Sequence, residues 1–122
     1  MRFLVIFALM AVVTVSARSE IVTGTVIELA TSSLKAPNPT YGGCYAKINT
    51  PLSQASISAG CSFEYYASFD CNGETGSSKN EGNQKFSMAQ LAYITGETVL
   101  LDVNPAKILN GICVAERVIM VK

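Results

Sequence analysis

The chain opens on an apolar run, Phe3–Val15, and then changes character at Ser16. Beyond it, apolar positions come in short groups separated by Gly, Pro, Asn and Ser. Ile21–Leu29, IVTGTVIEL, is rich in β-branched residues and predicts a strand. Lys35–Gly43 carries two prolines and two glycines and predicts a loop. Cys44–Ile48 and Gln54–Ser58 are short strand candidates, the second broken by Ala59-Gly60. Cys61–Tyr66, CSFEYY, alternates. Period two puts Cys61, Phe63 and Tyr65 on one face and Ser62, Glu64 and Tyr66 on the other. The first set is expected to face the core.

Asn72–Gln84 is polar with three glycines and predicts the longest surface loop. A short helical turn follows: Ser87 and Gln90 fit an S-x-x-Q capping box, Met88, Leu91 and Ala92 share a face, and Gly96 ends it. Thr98–Val103, TVLLDV, predicts a strand stopped by Asn104-Pro105. Asn110-Gly111 lies between two apolar runs and supplies both positive-φ positions of a type I′ turn, so a hairpin is expected there. The pattern is all-β apart from one short helical turn. It points to a compact antiparallel β-sandwich, with a small β-barrel as the alternative.

The N-terminal run changes the picture of the mature chain. Met1-Arg2, an apolar stretch of thirteen residues interrupted only by Thr14, and the small residues Val15-Ser16-Ala17 read as a secretory signal peptide over 1–17, cleaved after Ala17. A membrane-spanning helix needs about 20 apolar residues, and this run is shorter. Residues 18–122 then form a single domain. Removing Arg2 leaves eight Lys and Arg against nine Asp and Glu, a formal charge of −1. Such a chain has no electrostatic footprint for nucleic acid or an anionic membrane surface.

The four cysteines, Cys44, Cys61, Cys71 and Cys113, all follow the cleavage site. In an oxidising, extracellular compartment an even number predicts two disulfides. A zinc site is the rival, but the chain has no histidine and no C-x-x-C pair. Three pairings are possible. In each, Cys113 reaches back at least to Cys71, closing a loop of more than forty residues. The chain-entropy model values such a closure at about 4 kcal/mol.

Tyr65–Gly73, YYASFDCNG, resembles the first hairpin of a βγ-crystallin-type Greek key: an aromatic pair, a polar bend, then Cys71-Asn72-Gly73. Cys71 stands where that family has an aromatic. With GGCYAKI and AGCSFEYY before it, Tyr41–Glu74 is similar to small secreted fungal proteins of crystallin-like type. The resemblance implies a Greek-key sandwich in which Cys61 and Cys71 anchor one hairpin. It does not carry over the family's calcium site. Counting back from Ile57, Ser56 and Ala55 stand at the hydroxyl positions and Leu52 and Pro51 at the paired ligand positions. Leu and Pro side chains offer a hard cation no oxygen. No metal or cofactor is therefore expected.

Function is less legible. Without histidine, histidine-based acid–base catalysis and His-dependent triads are excluded. A carboxylate-dependent hydrolase would have to draw on Glu64, Asp70, Glu74, Glu97 or Asp102, and nothing in the sequence sets two of them at the required separation. The expectation is a monomeric, secreted, non-enzymatic interaction protein: an effector, toxin-like or cell-wall-associated factor acting through surface loops. A protease inhibitor is the alternative. The aromatic-containing tip at Tyr66 and Phe69, with Asn72 and Glu74 in the following loop, is the candidate interaction surface.

Overall fold

The computed structural model describes Ala11, residues 18–35 and residues 37–122. The expected signal peptide and its cleavage point lie outside the described residues. Strands β1 (Glu20–Thr31), β2 (Cys44–Ile48), β3 (Tyr66–Ser68), β4 (Thr98–Leu109) and β5 (Ile112–Val121) are joined by helices α1 (Gln54–Ala59), between β2 and β3, and α2 (Lys79–Thr95), between β3 and β4. The strands form one sheet in the order β1-β2-β3-β5-β4, and β4 pairs back onto β1, so the pairings close. All pairs are antiparallel except β3 with β5, which run parallel through Ser68 and Val114.

Strand β1 makes closure possible by serving two neighbours. Glu20–Thr25 pair with β4 and Val26–Thr31 with β2. The register shifts between Val26 and Glu28, a bulge that bends the strand. Gly24 sits beside the bend, where an added Cβ would come within 2.6 Å of Asn49 Oδ1. Alternate residues Val99, Leu101 and Val103 of β4 point inward with Val22, Val26, Ile48 and Phe69. Helix α2 lies over β1, β5 and β2 and buries Gly82, Phe86, Ala89 and Ala92. Its small residues let the helix approach closely. An added Cβ at Gly82 would meet the Asp70 carbonyl oxygen at 2.5 Å.

Several expectations hold. The strand in Ile21–Leu29, the strand Cys44–Ile48 and the Asn110-Gly111 hairpin are present, with Asn110 at φ 54° and Gly111 at φ 91°. All four cysteines are paired, as Cys44–Cys71 and Cys61–Cys113. Others are corrected. The strands make one sheet, not the two packed layers of a sandwich. The single short helical turn is replaced by two helices, of 6 and 17 residues. Gln54–Ser58 is helical because the Ser53 hydroxyl accepts from Ser56 N and nucleates α1. The longer helix is capped nine residues before Ser87, where Ser78 Oγ accepts from Glu81 N. Strand β4 runs through Pro105, where its register with β5 shifts between Asn104 and Ile108. Tyr65–Gly73 is not a β-hairpin. Only Tyr66–Ser68 is strand, paired to β2 on one side and β5 on the other. The two cysteines flanking it anchor different neighbours.

Candidate functional site

The outer side of β1, β2 and β3 is built in rows. Register places Glu28, Lys47 and Tyr66 in one row across the three strands, and Ala30, Tyr45 and Ser68 in the next. Cys44, Ala46, Ile48 and Ala67 alternate with these and face the core. Tyr66 Oη donates to the Glu28 carboxylate at 3.3 Å, and Lys47 Nζ lies 5.7 Å from the Tyr66 ring centroid. Burial first, and then the Glu28 carboxylate, hold the Tyr66 phenol above its ordinary pKa. The row thus has one acid, one base and an aromatic that contacts both, with no net charge.

Two further rings reach this face from loops. Tyr41 follows β1, and Phe63 precedes β3. The four rings form a closed circuit: Tyr41–Tyr45 at 5.3 Å, Tyr45–Tyr66 at 6.0 Å, Tyr66–Phe63 at 6.2 Å and Phe63–Tyr41 at 5.9 Å between centroids. Interplanar angles of 57–87° make these edge-to-face and tilted contacts, the favourable geometry for ring quadrupoles. Phe63 remains 42% exposed and the three tyrosines are half-buried. Four contiguous aromatic side chains left open to water on a sheet face form a patch of the kind that marks binding surfaces.

Tyr41 carries backbone strain. Its φ is 50°, which for a non-glycine residue costs about 1–2 kcal/mol. The β4–β5 turn holds it: Asn110 Oδ1 accepts from Thr40 N at 3.0 Å and from Tyr41 N at 3.2 Å. The same turn supplies Gly111 O, which accepts from Phe63 N at 3.2 Å. Ser68 Oγ, beneath the loop, donates to Tyr41 O at 2.8 Å.

The four residues expected to form one surface separate. Tyr66 is in the aromatic face. Phe69 is fully buried against Phe86, 6.0 Å between ring centroids, and is core. It belongs to the segment just after β3, which the Cys44–Cys71 disulfide draws under α2. Asn72 and Glu74 line a polar cleft of about 320 Å³ with Thr40 and Lys79. There both Glu74 carboxylate oxygens accept from Thr40 Oγ1, at 3.0 and 2.8 Å. Phe63, expected in the core, lies on the surface, because residues 62–65 turn rather than extend. Of the acids considered for hydrolysis, Asp70 is buried and its oxygens accept from Glu74 N and Thr75 N, each at 2.8 Å. That carboxylate organises its own loop. Tyr41, Tyr45 and Phe63 were not legible as site residues. The one available signal was Tyr45 and Lys47 alternating with apolar residues in CYAKI.

No protein-family model, curated protein or solved structure matches this chain. Among the described residues, no helix is long and apolar enough to cross a membrane. No group of three or more His, Cys, Asp or Glu gathers there in a metal-binding arrangement.

Proposed function

We propose that this is a secreted, non-enzymatic binding protein that takes an uncharged carbohydrate chain on the aromatic face of β1, β2 and β3. The observation that carries the reading is the circuit of Tyr41, Tyr45, Phe63 and Tyr66 beside the Glu28–Lys47 pair. Aromatic rings stack on the apolar faces of flat ligands, sugar rings and bases alike. The neighbouring charges choose between them. A phosphate backbone needs several cations, and the row holds one lysine opposite a carboxylate. Sugar hydroxyls suit that pair, since the carboxylate accepts and the ammonium donates.

The fold reading supports the same face. We read the strand order β1-β2-β3-β5-β4, the parallel β3–β5 pair and α2 between β3 and β4 as the oligonucleotide/oligosaccharide-binding type rather than the crystallin-like type. In that fold, strands 2 and 3 with the β1–β2 and β4–β5 loops are the working surface. The aromatic circuit occupies that position. Export fits the Phe3–Val15 run and the two disulfides. A wall or matrix polysaccharide is then an accessible partner.

Titration calorimetry of residues 18–122 against β-1,3- and β-1,4-linked hexaoses of glucose and of N-acetylglucosamine tests this. The expected result is saturable binding to at least one, unchanged by added salt and weakened about tenfold or more in Tyr66→Ser. Binding to none of them overturns the reading. So does a preference for oligothymidylate that falls steeply with salt, the signature of counterion release.

A further inference from the structure

We infer that the β4–β5 turn is the positioning device of the aromatic face, and that Asn110 sets whether Tyr41 joins Tyr45, Phe63 and Tyr66 in one platform. Tyr45 and Tyr66 are fixed by strand register. Tyr41 and Phe63 are not on strands and need another support. Each obtains it from a different residue of the same turn. Asn110 Oδ1 accepts from Thr40 N and Tyr41 N, and Gly111 O accepts from Phe63 N. Both partners of Oδ1 are backbone N–H donors, so only an acceptor side chain can fill this position.

The sequence of this segment needs such a clamp. Tyr41, Gly42 and Gly43 all have positive φ, of 50°, 79° and 87°. Glycine adopts that conformation readily, but tyrosine does not. A strained residue persists when its surroundings over-determine it, and such residues cluster at ligand-binding positions. Here a turn some 70 residues along the chain supplies the constraint. The turn needs its residue 110 for a second reason, because Asn110 itself has φ 54°. Asparagine meets both demands, and aspartate shares its acceptor and its tolerance of this backbone region. Glycine meets only the second.

That difference gives the experiment. Asn110→Gly keeps the turn and removes the clamp, whereas Asn110→Asp keeps both. Amide hydrogen exchange of the free protein is the first readout. Thr40 and Tyr41 amides should exchange about tenfold faster in Asn110→Gly, while Asn110→Asp stays within about twofold of the wild type. Core amides on β4, those of Leu101 and Val103, should be unchanged in both. The inference rests on the carbohydrate-binding reading only for its second readout. With whichever hexaose binds, Asn110→Gly should weaken affinity about tenfold and Asn110→Asp about twofold or less. Unchanged exchange in Asn110→Gly overturns the positioning role whatever the ligand proves to be. Equal losses in the Gly and Asp variants also overturn it, because the acceptor would then not be the operative group. If no hexaose binds, the functional reading falls and the exchange comparison still decides the positioning role.

Discussion

Tyr66 shows how one side chain answers to both packing and charge. Its phenol is held above the ordinary value of 10.0 by burial and by Glu28, both of which oppose a phenolate. A group whose folded pKa is raised contributes stability that is fully present below its unfolded pKa and lost as pH rises through the folded one. Stability should therefore be insensitive to this residue from neutral pH up to about 10 and fall above it. Glu28→Gln should move the Tyr66 titration to lower pH, followed by tyrosinate absorbance against a Tyr66→Phe reference. An unmoved titration would remove Glu28 as a cause. The two phenylalanines near β3 give a sharper contrast. Phe69 is fully buried, and Phe69→Ala should cost about 3–5 kcal/mol. Phe63 is 42% exposed and packs mainly on Tyr41 and Tyr66, so Phe63→Ala should cost only about 0.5–1.5 kcal/mol, the worth of aromatic pairing. Urea denaturation of both variants checks the order. Reversed costs would mean that residues 61–66 do extend as a strand with Phe63 inward.

Among the elements, α2 depends on absence of bulk. Gly82 lies in its first turns, where alanine is ordinarily better by about 1 kcal/mol. Here Gly82→Ala should destabilise instead, because the new methyl would meet the Phe69 and Asp70 carbonyl oxygens at 2.7 and 2.5 Å. Both are backbone atoms, held in place by the Asp70 side-chain bonds to Glu74 N and Thr75 N. A gain in melting temperature for Gly82→Ala would show that the helix stands off the loop. The same helix shows why parts of the chain were hard to read. Strand β1 and the Asn110-Gly111 turn were legible because β-branched runs and Asn-Gly act through local sterics. The buried stripe of α2 is mostly Gly and Ala, with Phe86 its only large member, while Met88, Leu91 and Ile94 stay exposed. Its apolar pattern therefore points to the wrong face. The Ser87–Gln90 box lies inside the helix, which is capped instead by Ser78, a start that lets Gly82 and Phe86 be buried. The alternation in CSFEYY failed for another reason. Cys61 is fixed by its disulfide to β5, and residues 62–65 turn to bring Tyr66 into register with Lys47. The aromatic face was illegible as a unit because its four rings come from two strands and two loops joined only by tertiary contacts.

At the scale of the molecule, the closed sheet has a weak seam between β3 and β5, with one covalent fastener across it and a second on the β2 side of β3. Strand β3 has three residues and meets β5 through the single pair Ser68–Val114. The disulfides flank it on both sides. Cys61–Cys113 ties the segment before β3 to β5, and Cys44–Cys71 ties the segment after it to β2. Cys61 and Cys113 are fully buried, so the first bridge also fills core volume. Their sequence separations are 52 and 27 residues, for which chain entropy gives about 4 and about 3.5 kcal/mol. The loops overlap along the chain, so the two values should not add. Cys61→Ala with Cys113→Ala should accordingly be the costlier removal, by its longer loop and by the volume it empties in the core. Cys44→Ala with Cys71→Ala should be milder in urea, since Cys71 is only partly buried. The two removals should also differ in place. Losing Cys61–Cys113 frees the approach to Phe63 and should loosen the aromatic face, read as faster exchange at the Phe63 and Tyr66 amides. Losing Cys44–Cys71 frees residues 69–75 and should leave those amides protected. Equal stability losses with the same exchange pattern would mean that β3 is held by its backbone pairing and that the bridges act only on the unfolded chain.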